Sequence, residues 1–150
     1  MSTADETSQH AFERALKDRL RNQQDDTGRG LTSREIRRGV SIERLQRLAD
    51  RIDLTQETLT RVLGISERTL QRRKEEGRLN PRESDRVERL LRVWRLALRA
   101  FDNDEEEART WLTTPKRTLD DESPVEHIDT EPGARAVTEM LVVIDQTMPA

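Results

Sequence analysis

Apolar positions recur at helical spacing along most of this chain. Val87, Leu90, Leu91, Trp94, Leu98 and Phe101 form the longest stripe and predict a helix of about five turns. Asn80-Pro81-Arg82-Glu83 marks its start with an N-cap side chain, a proline at the first helical position and a carboxylate to close the cap. Upstream, Ile42, Leu45, Leu48, Ala49 and Ile52 mark one face of a helix beginning after Ser41. Phe12, Leu16 and Leu20 predict a short amphipathic helix reaching Asn22, with residues 1–9 disordered before it and a QQDDTGRG loop after it. Downstream, Asp104 and Glu107 can cap a helix carrying Ala108, Trp111 and Leu112, which Pro115 stops. Ser123-Pro124-Val125-Glu126 repeats the cap–proline–carboxylate device for a single turn. A last helix from Pro132 turns Ala136, Val137, Met140, Leu141 and Ile144 inward. Val142-Val143 falls within that helical pattern, so no strand is expected and the predicted fold is all-α.

Residues 55–74, TQETLTRVLGISERTLQRRK, read as two short helices around a glycine turn. With Gln56 opening the first helix, the small Thr60 lies one turn on and Gly64 one turn further. Leu59, Leu63, Ile65 and Leu70 fall where two such helices bury contact with each other. Gly64 suits a turn that needs positive φ, and Ser66 is a good N-cap for the second helix. This is the pattern of a helix-turn-helix, whose second helix enters the DNA major groove. Thr55, Gln56, Ser66 and the first amides of the second helix are placed to contact phosphate. Glu67, Arg68, Gln71, Arg72 and Lys74 point outward; arginine suits guanine, glutamine suits adenine, and an acid can accept from cytosine. Arg73 and Lys74 are expected to hold the DNA backbone. The competing reading of the same residues is a solvated helical hairpin.

Composition narrows the picture. At 150 residues, with 32% hydrophobic and 38% charged positions, the chain is too polar for one large core but fits one or two small domains of amphipathic helices. Its net charge of −3 conceals a division. Residues 34–100 hold 18 Lys and Arg against 11 Asp and Glu, a net of +7, whereas residues 101–150 hold 4 against 13, a net of −9. A middle segment that attracts phosphate and a C-terminal segment that repels it suggest two different partners. Without cysteine there is no disulfide framework and no cysteine-based zinc site. The longest apolar run, Met140–Ile144, is too short to span a bilayer, and MSTADETSQ lacks the order of a signal peptide. A soluble protein of the bacterial cytoplasm, with no membrane partner, is expected.

Little supports catalysis. His10 and His127 fall in a disordered end and a short polar turn, and there is no HxxxH, Gly-rich phosphate loop or nucleophile elbow. Asp120, Asp121 and Glu122 are consecutive on a loop and do not converge on a cation. No enzyme activity, cofactor, metal or small-molecule substrate is therefore expected. Arg86, Arg89, Arg92, Arg95 and Arg99 lie on the outer face of the long helix near Asp85 and Glu88, the pattern of a solvated face. Trp111 reads either as core or as an anchor at a protein interface.

Taken together, residues 39–145 resemble the Xre/MbcA/ParS family of type II antitoxins, which pair with RES-domain toxins that deplete cellular NAD. The similarity runs from Gly39–Leu48 through LTQETLTRVLGISERTLQRRKEEGRL and ESDRVERLLRVWRLALRAF. ARTWLTTP, Ser123-Pro124, and Pro132-Gly133-Ala134 with Val137, Leu141 and Ile144 behind it continue the likeness; this last series is its most specific part. Thr60, where alanine is more usual, and Asp102, where glycine is more common, depart from the pattern. The resemblance implies an N-terminal extension over 1–33, an Xre-like helix-turn-helix domain over 34–101 and a small helical toxin-binding domain over 102–150. It implies a usually dimeric antitoxin that covers the NAD site of a cognate RES toxin and represses its own operon by binding operator DNA. Candidate toxin-binding residues are Trp111, Leu112, Arg135, Met140, Ile144 and the tail residues Met148, Pro149 and Ala150. The alternative is a stand-alone helix-turn-helix regulator whose C-terminal region dimerises or senses a ligand.

Overall fold

A computed structural model of the chain describes residues 8–14 and 29–147. Residues 8–14 belong to a helix, α1, with every side chain exposed and Phe12 at 69%. Ser8 and Gln9, expected to be disordered, are thus helical, while positions 15–22 of the expected amphipathic helix lie outside the described residues. Next in the chain are α2 (Ser33–Arg38), α3 (Ile42–Ile52), α4 (Gln56–Leu63), α5 (Glu67–Glu76) and α6 (Pro81–Ala100). Then come α7 (Glu105–Thr113), a 3-10 turn (Arg117–Leu119), α8 (Pro124–His127) and α9 (Glu131–Thr147). Among the described residues there is no strand, only isolated antiparallel bridges joining Ser41 to Arg78 and Lys116 to Glu122. Nor is any helix among them long and apolar enough to cross a membrane.

The helix starts arise from side chains that satisfy the first amides. Ser41, Thr55, Ser66, Asp104 and Ser123 each accept from the backbone N–H three residues on. Asn80 and Glu83 close a reciprocal capping box ahead of Pro81. Thr32 and Glu35 close another, which starts α2, a helix that the apolar pattern does not announce. That helix lies against α6, where the Leu31 amide donates to Glu88 Oε2 (2.6 Å) and the Val40 amide to Ser84 Oγ (2.8 Å).

The core is built around α6, which touches α2, α4, α7 and α9. Its Val87, Leu90, Leu91, Val93, Trp94 and Ala97 are buried, and one apolar cluster runs from Val40 and Leu45 to Val137 and Leu141. Each large side chain so buried contributes about 1.5–3 kcal/mol. Leu98, expected in the stripe, is half-buried; so are Ala136, Met140 and Ile144, whereas Val137 and Leu141 are fully buried.

The arginines along α6 do not form a simple solvated row. Arg86 Nη1 donates to the Leu63 carbonyl (2.7 Å), Arg89 and Arg92 pair with Glu131 (3.1 and 3.3 Å), and Arg99 pairs with Asp145 (3.1 Å). Arg95 alone of the five takes one of the expected near neighbours, Glu88 (3.2 Å). Arg51 of α3 likewise reaches Glu105 (2.5 Å). Charges that the sequence sorts by sign are thus brought face to face, because α7–α9 fold back over α6. Much of the acid of the C-terminal third is spent inside the molecule.

Candidate functional site

α4, the Gly64 turn and α5 have the geometry of a helix-turn-helix. Gly64 ends α4 in the left-handed region (φ 68°, ψ 33°), and its amide donates to the Arg61 carbonyl (3.1 Å). The positive φ is what favours glycine here; a Cβ would also lie 2.6 Å from Arg86 Nη1, the tip of a flexible side chain that would have to move aside. Leu59, Leu63 and Leu70 are buried between the helices, with Ile65 half-buried beside them. Thr60 is buried as well; its hydroxyl donates to the Glu57 carbonyl (2.8 Å), which lets threonine occupy a site suited to a smaller residue.

The outward face of α5 carries Glu67, Arg68, Gln71 and Arg72, all exposed. Arg68, Thr69, Gln71, Arg72 and Glu75 line a shallow concavity on this face. No carboxylate pairs with Arg68 among the described residues, and Arg72 is only loosely held, 3.8 Å from Glu76 with a side chain 61% exposed. Thr55, Gln56 and Ser66 are exposed at the two helix starts, where the Thr55 and Ser66 hydroxyls cap the Thr58 and Thr69 amides. Lys74 is half-buried, its Nζ 3.4 Å from Gln56 Oε1, tying the end of α5 to the start of α4.

Arg73, expected to hold the DNA backbone, is engaged within the protein. Its Nε and Nη2 grip both oxygens of Glu83 (2.7 and 3.0 Å), and Nη1 reaches Glu76 (3.3 Å). Glu83 is 3% exposed. Burial pushes its carboxyl up, but the Arg73 hydrogen bonds, the Asn80 amide and the charges of Arg73 and Arg72 together hold it below the usual carboxylate range. Arg73 therefore fixes α5 against the start of α6. Arg73 lies one turn after the buried Leu70, on the side of α5 that faces the protein, and the buried acid that claims it comes from another helix.

The C-terminal candidates separate in the same way. Leu112, expected among the toxin-binding residues, is fully buried in the core on the inner side of α7. Trp111 is half-buried, tilted against Phe101 (6.2 Å between ring centroids) with Lys116 Nζ 5.3 Å from its ring centre. Burial there pushes the Lys116 ammonium down. Arg135 is exposed and Met140 and Ile144 are half-buried on α9, while Met148, Pro149 and Ala150 lie outside the described residues. Sequence reasoning missed Val142 and Val143, which are 40% and 57% exposed on α9. The run Met140–Ile144 held the signal: five consecutive apolar residues are more than one face of a helix can bury.

A two-helix motif held by a folded-back helical C-terminal region defines the class, a helix-turn-helix protein with an appended helical domain. Comparison with known proteins gives the family. Residues 32–92 match the antitoxin Xre-like helix-turn-helix domain, and residues 96–146 match the antitoxin Xre/MbcA/ParS C-terminal toxin-binding domain. Antitoxin Xre of Yersinia enterocolitica serotype O:8 / biotype 1B is 33% identical over 107 residues, covering 71% of this chain and 72% of that protein. Antitoxin Xre of Photorhabdus laumondii subsp. laumondii is 33% identical over 84 residues, 55% of this chain and 57% of the relative. The chain belongs to the Xre family of antitoxins. The two matched domains meet inside α6, between residues 92 and 96, so a single continuous helix belongs to both.

Proposed function

We propose that this antitoxin neutralises a RES-domain toxin through its C-terminal domain and represses its own operon by placing α5 in the major groove of an operator. The observation that carries the DNA half is the joint exposure of Arg68, Gln71 and Arg72 on one face of α5, beside the capped helix starts at Thr55 and Ser66. That face offers base-reading cations and an amide flanked by phosphate-binding amides. The toxin half rests on the match over residues 96–146 and on the exposed apolar strip of Val142 and Val143 along α9, near Arg135, Met140 and Ile144. The protein acts as a homodimer in the bacterial cytoplasm, since one such motif reads few base pairs and a two-fold pair doubles the contacts.

A paired assay tests both halves: binding to the DNA upstream of the coding sequence, and growth rescue of cells expressing the RES protein of an adjacent reading frame. Arg68→Ala or Arg72→Ala weakens DNA binding by about 1–3 kcal/mol where the side chain reads a base, with rescue intact. Val143→Asp, at an exposed position, does the reverse. Unchanged DNA affinity in both arginine variants refutes the recognition-face assignment, and rescue by Val143→Asp at wild-type level refutes the α9 surface. Failure of the wild-type protein to rescue removes the RES partner.

A further inference from the structure

We propose that Arg61 and three carboxylates of the C-terminal domain form a latch that sets the pose of α4, so that events on the toxin-binding domain reach the DNA-reading helix. The consequence for DNA rests on the function proposed above; the latch itself does not. Arg61 lies on the last turn of α4, and each of its three guanidinium nitrogens takes a different acid. Nη2 meets Glu122 (2.7 Å), Nη1 meets Glu126 (3.3 Å) and Nε meets Asp129 (3.3 Å). These acids come from the end of the Lys116–Glu122 bridge, from α8 and from the turn after it, and α8 packs directly on α4. All three pairs join the two matched domains.

Two features make this a coupling element. The first is backbone continuity: the Arg61 carbonyl accepts the Gly64 amide (3.1 Å), so displacing Arg61 displaces the turn that aims α5. Two further braces on the motif, Arg86 to the Leu63 carbonyl and Arg73 to Glu83, both involve α6. The second is charge imbalance. One guanidinium faces three carboxylates; His127 Nδ1 adds a contact to Glu122 (3.0 Å) and Ser123 Oγ donates to Glu126 (2.7 Å). The side chains of Glu122, Glu126 and Asp129 are 33%, 35% and 32% exposed, within reach of solvent and of a docked surface. A bound partner that brings its own cation to this surplus of acid competes with Arg61, loosens α4 and weakens DNA binding. A partner that leaves the cluster closed preserves it. Linkage makes the effect reciprocal: DNA that holds α4 in place disfavours the cationic competitor.

Hydrogen exchange on the full chain tests the latch without knowledge of the toxin. The variants Glu122→Gln and Asp129→Asn, singly and together, alter only the C-terminal domain, and Glu106→Gln, at an exposed acid of α7, is the control. In the double variant the amides of α4 and of residues 64–66 are expected to exchange about tenfold faster while α6 and α9 keep their protection. Affinity for the upstream DNA is expected to fall several-fold, and Glu106→Gln to change neither readout. Unchanged protection in α4 overturns the proposal. Acceleration of α4, α6 and α9 by one common factor overturns it too, because it reports global destabilisation. A wild-type protein that does not bind DNA refutes the DNA-binding reading, while the exchange data still decide the latch.

Discussion

Glu83 is the most deeply withdrawn carboxylate in the ion pairs among the described residues, with a side chain 4% exposed, and α5 is aligned on it through Arg73. Removing the cation leaves a buried charge with the Asn80 amide as its remaining donor, so Arg73→Ala is expected to cost about 3 kcal/mol in denaturant unfolding. A second depressed acid is Glu35, held at about 2 by hydrogen bonds from Arg29 and from the Thr32 amide, with burial opposing. A carboxylate whose folded pKa lies below its unfolded one stabilises the fold above the unfolded value and loses that contribution as pH falls toward the folded one. Stability is therefore expected to be level near neutrality and to decline from about pH 4.5 toward pH 2. The check is the urea midpoint against pH. Glu83→Gln should be less stable at pH 7 and show a shallower acid decline, and an equal midpoint at pH 3 and pH 7 in the wild type contradicts the account.

At the scale of elements, the junction of α8 and α9 shows how closely the helices approach. Gly133, in the first turn of α9, has no room for a Cβ, which would run into the His127 carbonyl oxygen. Gly133→Ala must push α9 off α8 or bend its start, at an expected cost of about 1–3 kcal/mol. For a chain of this length that is a fall in Tm of about 2–4 °C per kcal/mol, read by thermal unfolding. An unchanged Tm means the helices part without loss. The elements also show what a sequence makes legible. Thr55, Ser66, Asn80 and Ser123 act on amides a turn away, so their caps, the Gly64 turn and the exposed Arg68–Gln71–Arg72 face are readable as local chemistry. α2 is not, because six residues with no buried side chain have no stripe, and α6 supplies their support. The surroundings of Arg73, Leu112 and the arginine row of α6 are not legible for a common reason: periodicity gives the direction of a side chain but not which residue of another helix packs there.

For the whole molecule, a sequence division into basic and acidic segments becomes a fold in which each covers part of the other. Arg51, Arg61, Arg89, Arg92 and Arg99 of one segment pair with Glu105, Glu122, Glu126, Asp129, Glu131 and Asp145 of the other. Beneath these pairs the apolar cluster continues from Leu45 across Trp94 to Leu141 without a break at the domain boundary. Solvent-exposed pairs alone contribute little; the shared core makes the two domains interdependent. Leu141→Ala, in the C-terminal domain, should therefore destabilise the helix-turn-helix as well, by about 2–5 kcal/mol for a buried leucine. The expected outcome is one cooperative transition, with tryptophan fluorescence, helical circular dichroism and DNA binding lost at a common urea midpoint in both proteins. The variant's midpoint is simply lower. Two separated transitions, with DNA binding surviving the first, would instead mean that α6 can release α9 and still present α5.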